Sequence, residues 1–381
     1  MNAIYSHAIL TKDGFFDGYL LLEGGKIKAI TKERPQDASI YDATDKTVCA
    51  GFIDIHTHGG GGYPFEGTVD DIVMGCNFHL LHGTTTICPT VSAAPFADMA
   101  RSVENIREAM QDARLKAKIL GAHLEGPYLS KKQAGAQAPD FITPPNEQEY
   151  LPLLEKHGDT IARWTYAPEN DTDLKFVRAL ARYGVVASAG HTDAIYPDML
   201  AAEKEGCHLV THLYSCTSTI TRDHGFRRLG VIESAFLSDD MYTEIICDGR
   251  HLPPELIRLI CKIKGYDRVL LVTDSLALAG TSLTEGKMQA TEFIIEDGVC
   301  KLKDRSAFAG SIATADRLVR VAVTEAGIPL RDALRMITEI PARVMGLSDR
   351  GVIAEGMAAD LVCLDSALCV SDVFVDGERI S

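Results

Sequence analysis

At 381 residues, 46% apolar and 24% charged, the chain is long enough for one large domain plus a smaller one and has the balance of a protein with a sizeable core. A formal net charge of −15 argues against nucleic acid or anionic membrane as a main partner, since both reward positive surface, so an anionic ligand needs a local pocket. The start of the chain lacks a basic stretch followed by a long apolar run, no apolar run approaches the ~18 residues of a membrane helix, and the ten cysteines show no Cys-x-x-Cys spacing. Free thiols in the cytoplasm are the expectation.

The first fifty residues read as short strands and turns, with Gly24-Gly25 as a hairpin turn inside "GYLLLEGGKIKAI". Beyond them, apolar runs alternate with helical stretches. "FADMARSVENIREAM" sets Met99, Val103, Ile106 and Met110 on one face, and "DLKFVRALARYG" does the same with Leu174, Val177 and Leu180 before a stop at Gly184. The expected strands, in order, are "GFIDIHTH", "TTTICPT", "KILGAHLEG", "IARWTYAPE", "VVASAGH", "CHLVTHL", "TEIICDG" and "RVLLVTDS". Eight strands with room for helices between them predict an α/β fold of the (β/α)8 barrel type. A doubly wound open sheet is the rival, but no Gly-x-Gly-x-x-Gly turn opens a helix. The last thirty residues again break into short apolar runs, so the two ends are expected to meet in a small β-sandwich. The resulting division is 1–50 and 341–381 for the small domain and 51–340 for the barrel.

Barrel active sites sit at the C-terminal ends of the strands. Those ends carry His56 and His58 on the first strand, Glu125 on the third, His191 on the fifth, His212 on the sixth, Asp248 on the seventh and Asp274 on the eighth. Singly, each has a plain explanation: a satisfied histidine, a turn carboxylate, a helix cap. Together they predict a metal-dependent hydrolytic site. Nitrogen and carboxylate ligands suit a borderline divalent ion such as zinc, which polarises a carbonyl and lowers the pKa of water towards ~7. Asp274, alone on the eighth strand, is placed to take a proton from that water and return it to a leaving nitrogen. The glycines 59–62 that follow His58 read as the loop leaving the first strand, keeping room at the barrel mouth. A phosphate cradle is not expected there, because no helix starts at once.

"GFIDIHTHGGGG", "GAHLEGPYLSKKQAGAQ", "SAGHTDA", "THLY", "CDGRHL", "LVTDSLALAG" and "GVIAEGMAADLVCLD", in that order, resemble the amidohydrolase superfamily and, within it, the N-acetylglucosamine-6-phosphate deacetylases. The resemblance implies Glu125, His191 and His212 as ligands of the principal metal and Asp274 as general base and then acid. His56 and His58 match the pair that binds a second ion in some members, with Glu125 bridging, so one or two ions are expected. Zinc leads, with iron, manganese or cobalt possible. "WTYAPEN" offers no Lys for the carbamylated bridge of other amidohydrolases. The resemblance further implies substrate contacts from His251, Gln137, Ser215 and Cys216. It also implies that Arg222 reaches the sugar phosphate in a neighbouring subunit of a homodimer. Ser215 and Cys216 stand where the family usually has Asn-Ala, which weakens the inferred phosphate contact. The galactosamine epimer, or another N-acyl or cyclic amide, is therefore the alternative substrate, and a silent barrel kept for binding is the alternative from outside enzymology.

Overall fold

The computed structural model describes residues 2–288 and 291–380. Its centre is a ring of eight parallel strands: Phe52–Thr57, Thr84–Ser92, Ala122–Glu125, Ile161–Tyr166, Val186–Ala189, Leu209–Val210, Tyr242–Ile246 and Val269–Val272. Six lie inside the expected segments; the second runs two residues further, to Ser92, and the seventh starts one residue earlier, at Tyr242. Hydrogen bonds from Asp274 N–H to His56 O (2.9 Å) and from His58 N–H to Ser275 O (2.8 Å) join the eighth strand to the first. These are also the residues that carry the candidate chemistry. The chain therefore belongs to the (β/α)8 class.

A helix follows each strand: Val69–Leu81, Phe96–Ala109, Glu147–His157, Lys175–Arg182, Tyr196–Lys204, Val231–Leu237, Pro254–Lys264 and Ala315–Thr324. The first starts at a reciprocal cap, in which Thr68 Oγ1 accepts from Asp71 N–H and the Asp71 carboxylate accepts from Thr68 N–H, satisfying two end donors. In the second, Met99, Val103 and Ile106 are fully buried against the strands, as their spacing predicts. The fourth ends ahead of Gly184, whose φ of 70° a side chain would resist.

The two ends meet. Thr47–Ala50 pairs antiparallel with Leu361–Leu364, and the strands of both termini form one eight-stranded sheet. That sheet has its own core, which includes Ile4, Leu20, Val48, Leu361 and Phe374. Two features were not expected. A hairpin, Thr221–Asp223 with Phe226–Arg228, follows the sixth strand. A four-stranded antiparallel sheet built from Glu285–Met288, Thr291–Glu296, Val299–Leu302 and Phe308–Gly310 stands between the eighth strand and its helix. The segment "FIIEDGVCKL" carried a signal for the latter, because Asp-Gly between alternating apolar residues marks a two-residue hairpin turn.

Candidate metal centre and active site

The strand ends converge on one buried cluster. His212 Nε2 lies 3.0 Å and His191 Nε2 3.2 Å from Glu125 Oε1, and the two imidazole nitrogens are 3.2 Å apart. From the first strand, His56 Nε2 lies 3.3 Å from Glu125 Oε1 and 3.4 Å from Asp274 Oδ1, and His58 Nε2 lies 3.3 Å from both carboxylates. Three of these residues occupy backbone that L-residues avoid, with φ of 46° at His191, 28° at His212 and 46° at Asp274. Each such residue costs about 1–3 kcal/mol, and strain of this kind gathers where a side chain must be aimed.

On three of the four rings the far side fixes the aim, whereas His212 Nδ1 has no hydrogen-bond partner among the described residues. His191 Nδ1 is 2.9 Å from Gln133 O, so it donates there and leaves Nε2 as a lone pair facing the cluster. His58 Nδ1 meets Ser92 Oγ at 3.1 Å, and His56 Nδ1 faces Glu244 Oε2 at 3.4 Å. Gln137 is held at both ends: its carbonyl accepts from Ala93 N–H and its amide donates to Glu125 Oε2, each at 2.8 Å.

Burial alone would strip protons from these imidazoles, yet His56 is pushed up to about 9 because the carboxylates of Glu125 and Asp274 outweigh desolvation. His58 is raised well above its usual range against the same burial, held by Asp274 and Glu125. Burial raises Glu125 and Asp274, but the surrounding imidazoles reverse it and hold both low. The cluster therefore calls for positive charge at its centre. Protons supply it only by turning lone pairs into N–H groups, and His56 Nε2 is a buried nitrogen with no hydrogen-bond partner among the described residues. Three sets (His56, His58, Glu125; His56, His212, Asp274; Glu125, His191, His212) each hold their ligand atoms within 4.8 Å of one another. The residues fit a divalent cation with nitrogen and oxygen ligands.

Above the cluster opens a cavity of about 230 Å³ whose lining includes Glu125, Gln137, His191, Ser215, Cys216 and His251, with Met288 and Phe308 from the four-stranded sheet. His251 is fixed by Asp248, whose Oδ2 lies 2.9 Å from Nδ1, and Phe308 packs edge-on against its ring. Arg222 does not line this cavity; it lies exposed on the hairpin. The glycines after His58 are also absent from the lining. A Cβ on Gly60 would sit 2.4 Å from Phe78 and 2.7 Å from His79, and Gly59 and Gly61 are similarly hemmed in, so these three allow close packing rather than open space.

Sequence reading missed the layer beneath. Arg163 and Glu244 are fully buried and paired under the cluster. Their signal was a charge inside an apolar strand, in "IARWTY" and "TEII", where the inward face of a barrel needs a partner for it.

Fold and site together define a (β/α)8 barrel with a buried cluster of histidines and carboxylates at its mouth that fits a divalent metal. The sequence matches the Amidohydrolase family over residues 47–380. It is 32% identical to the N-acetylglucosamine-6-phosphate deacetylase of Haemophilus influenzae over 99% of this chain and 98% of that one. It is also 32% identical to the N-acetylgalactosamine-6-phosphate deacetylase of a Shewanella species, over 93% and 89%. The structure of N-acetylglucosamine-6-phosphate deacetylase from Pasteurella multocida superposes with a TM-score of 0.93 at 30% identity, covering 100% of this chain and 99% of that one. The chain belongs to the amidohydrolase family.

Proposed function

We propose that the chain is a metal-dependent deacetylase that hydrolyses N-acetylglucosamine-6-phosphate to glucosamine-6-phosphate and acetate. The observation that carries this reading is the Asp274 carboxylate at the floor of the cavity, 3.3–3.4 Å from two histidines of a cation-seeking cluster. A divalent ion held by Glu125, His191 and His212, with His56 and His58 available for a second, supplies Lewis acidity that activates water and polarises the acetamide carbonyl. Asp274 is held ionised by the imidazoles against the effect of its burial, so it starts as the base. It takes the proton of the attacking water as the oxygen adds to the carbonyl carbon. It then gives that proton to the sugar nitrogen as the C–N bond breaks, leaving acetate and the free amine. His251, oriented by Asp248, and Gln137 face the same space and steady the carbonyl oxygen.

Zinc is the metal that best suits this donor set. No lysine or arginine lines the cavity among the described residues, and the net charge of −15 does not attract a phosphate. An exposed Arg222 on a projecting hairpin meets this need if two copies pair and each lends its hairpin to the other, hence a homodimer. Among the described residues no helix is long and apolar enough to cross a membrane, and the phosphorylated substrate favours a cytoplasmic site of action. The galactosamine epimer is the second reading. It is favoured by Ser215 and Cys216, which line the cavity in place of the expected Asn-Ala.

The test is acetate release from N-acetylglucosamine-6-phosphate, N-acetylgalactosamine-6-phosphate and both unphosphorylated sugars, with metal content measured alongside. The first should lead. Equal kcat/KM for phosphorylated and plain sugars would remove the phosphate from the assignment, and preference for the second would move it to the epimer.

A further inference from the structure

The charged pair below the cluster is poorly explained by stability alone. Replacing a buried ion pair with well-packed apolar side chains is often neutral or stabilising, so its presence asks for another reason. Arg163 is anchored through both terminal nitrogens: Nη1 donates to Ile55 O at 3.2 Å and to Glu244 Oε1, and Nη2 donates to Ser188 Oγ at 3.0 Å and Thr211 Oγ1 at 3.1 Å. So braced, Glu244 has one oxygen left over. That oxygen, Oε2, lies 3.4 Å from His56 Nδ1 and accepts from His212 N–H at 3.4 Å. The other side of the His56 ring meets His123 edge-on at 4.6 Å, and both His123 nitrogens are occupied by the hydroxyls of Thr90 and Thr165. Glu244 is thus the acceptor that faces His56 Nδ1 among the described residues.

We propose that Glu244, braced by Arg163, is a positioning residue that fixes His56 as the Nδ1–H tautomer and so controls binding of a second divalent cation on the His56–His58 side of Glu125. A carboxylate only accepts, so a neutral His56 facing it carries its proton on Nδ1 and turns the Nε2 lone pair towards Glu125 and Asp274. Its touch on His212 is through backbone, so the ring of His212 and the Glu125–His191–His212 set are not steered in the same way. The inference rests on the reading of the cluster as a metal centre.

Metal-stripped full-length protein titrated with Co²⁺ alone, followed by calorimetry and by the visible absorption of the ion, tests it without substrate. Wild type should take up two ions. In Glu244→Gln the side-chain amide can donate to Nδ1 and favour the opposite tautomer, so one site should weaken by about 10–100-fold while the other stays within about threefold. An Arg163→Met/Glu244→Leu double variant, which leaves no unpaired buried charge, should show the same selective loss with its melting temperature retained. Two ions bound at wild-type affinity by either variant would overturn the inference, as would equal weakening of both sites or a wild type that takes up a single ion. A wild type that binds no Co²⁺ would bring down the metal-centre reading itself, and this inference with it.

Discussion

The barrel mouth and the terminal sheet both bury carboxylates, and they satisfy them in opposite ways. In the terminal sheet, Asp372 is 1% exposed and is met by Lys46 Nζ at 2.5 Å from one side and Arg379 Nη2 at 2.5 Å from the other. Those cations are covalently part of the chain, and the carboxylate is permanently neutralised. At the barrel mouth Glu125 and Asp274 are surrounded by four imidazoles, whose charge is conditional. A region that binds its own cations is finished on folding. One that leaves the cation to be supplied can exchange it and use its field on a substrate.

The largest expected effect comes from breaking the second arrangement at its proton carrier. Asp274→Asn keeps the shape and removes the base, so kcat should fall by about 10²–10⁴-fold with metal content unchanged, measured as acetate release beside elemental analysis. Activity within a few-fold of wild type would refute the proton role. Chelation should abolish acetate release, and added zinc should restore it.

Metal removal also exposes a pH dependence above neutrality that the Lys46–Asp372 pair does not supply, since a lowered carboxylate loses its stability only on the acid side. In the cation-free protein His56 is raised from 6.5 to about 9, by Glu125 and Asp274 working against burial. A raised histidine contributes stability that is complete below pH 6.5 and is lost as pH climbs through 9. Glu125, held well below 4.5 by the imidazoles despite burial, adds stability that disappears on the acid side. The melting temperature of stripped protein should therefore decline between pH 6.5 and 9. Reloading the metal should flatten that decline, because the ion replaces the protons. A stripped protein equally stable across this range would show that the cluster does not demand charge.

Most of this contrast was legible in sequence at the mouth and hardly at all elsewhere. His56, His58, Glu125, His191, His212 and Asp274 could be read because strand ends in a barrel share one face of the molecule, so spacing along the chain becomes proximity in space. Arg163 and Glu244 obey the same geometry but lie mid-strand, where a lone charge among apolar residues looks like noise until its partner is known. Lys46 and Asp372 are 326 residues apart, and no local pattern joins them. The four-stranded sheet was partly readable, since Asp297-Gly298 marks its turn, but its seat over the cavity follows from the path of the eighth-strand loop. The Gly59–Gly62 run misled for a related reason: composition reports that small residues are needed, not whether they leave space or allow contact.

The smallest effect sharpens the comparison from the finished side. Lys46→Ala removes one of the two cations of Asp372 and leaves Arg379 in place. Lys46 is 28% exposed, so solvent recovers part of the loss, and the cost should be about 1–2 kcal/mol, read as a fall of a few degrees in melting temperature. Adding Asp372→Leu to that variant should return part of the lost stability, because the acceptor that had been left short of a partner is gone. Acetate release per folded, metal-loaded molecule should match wild type throughout, since the pair touches neither cavity nor cluster. A drop in kcat without a drop in melting temperature would mean that the terminal sheet steers the barrel mouth, and the division between a finished region and one that awaits its cation would fail.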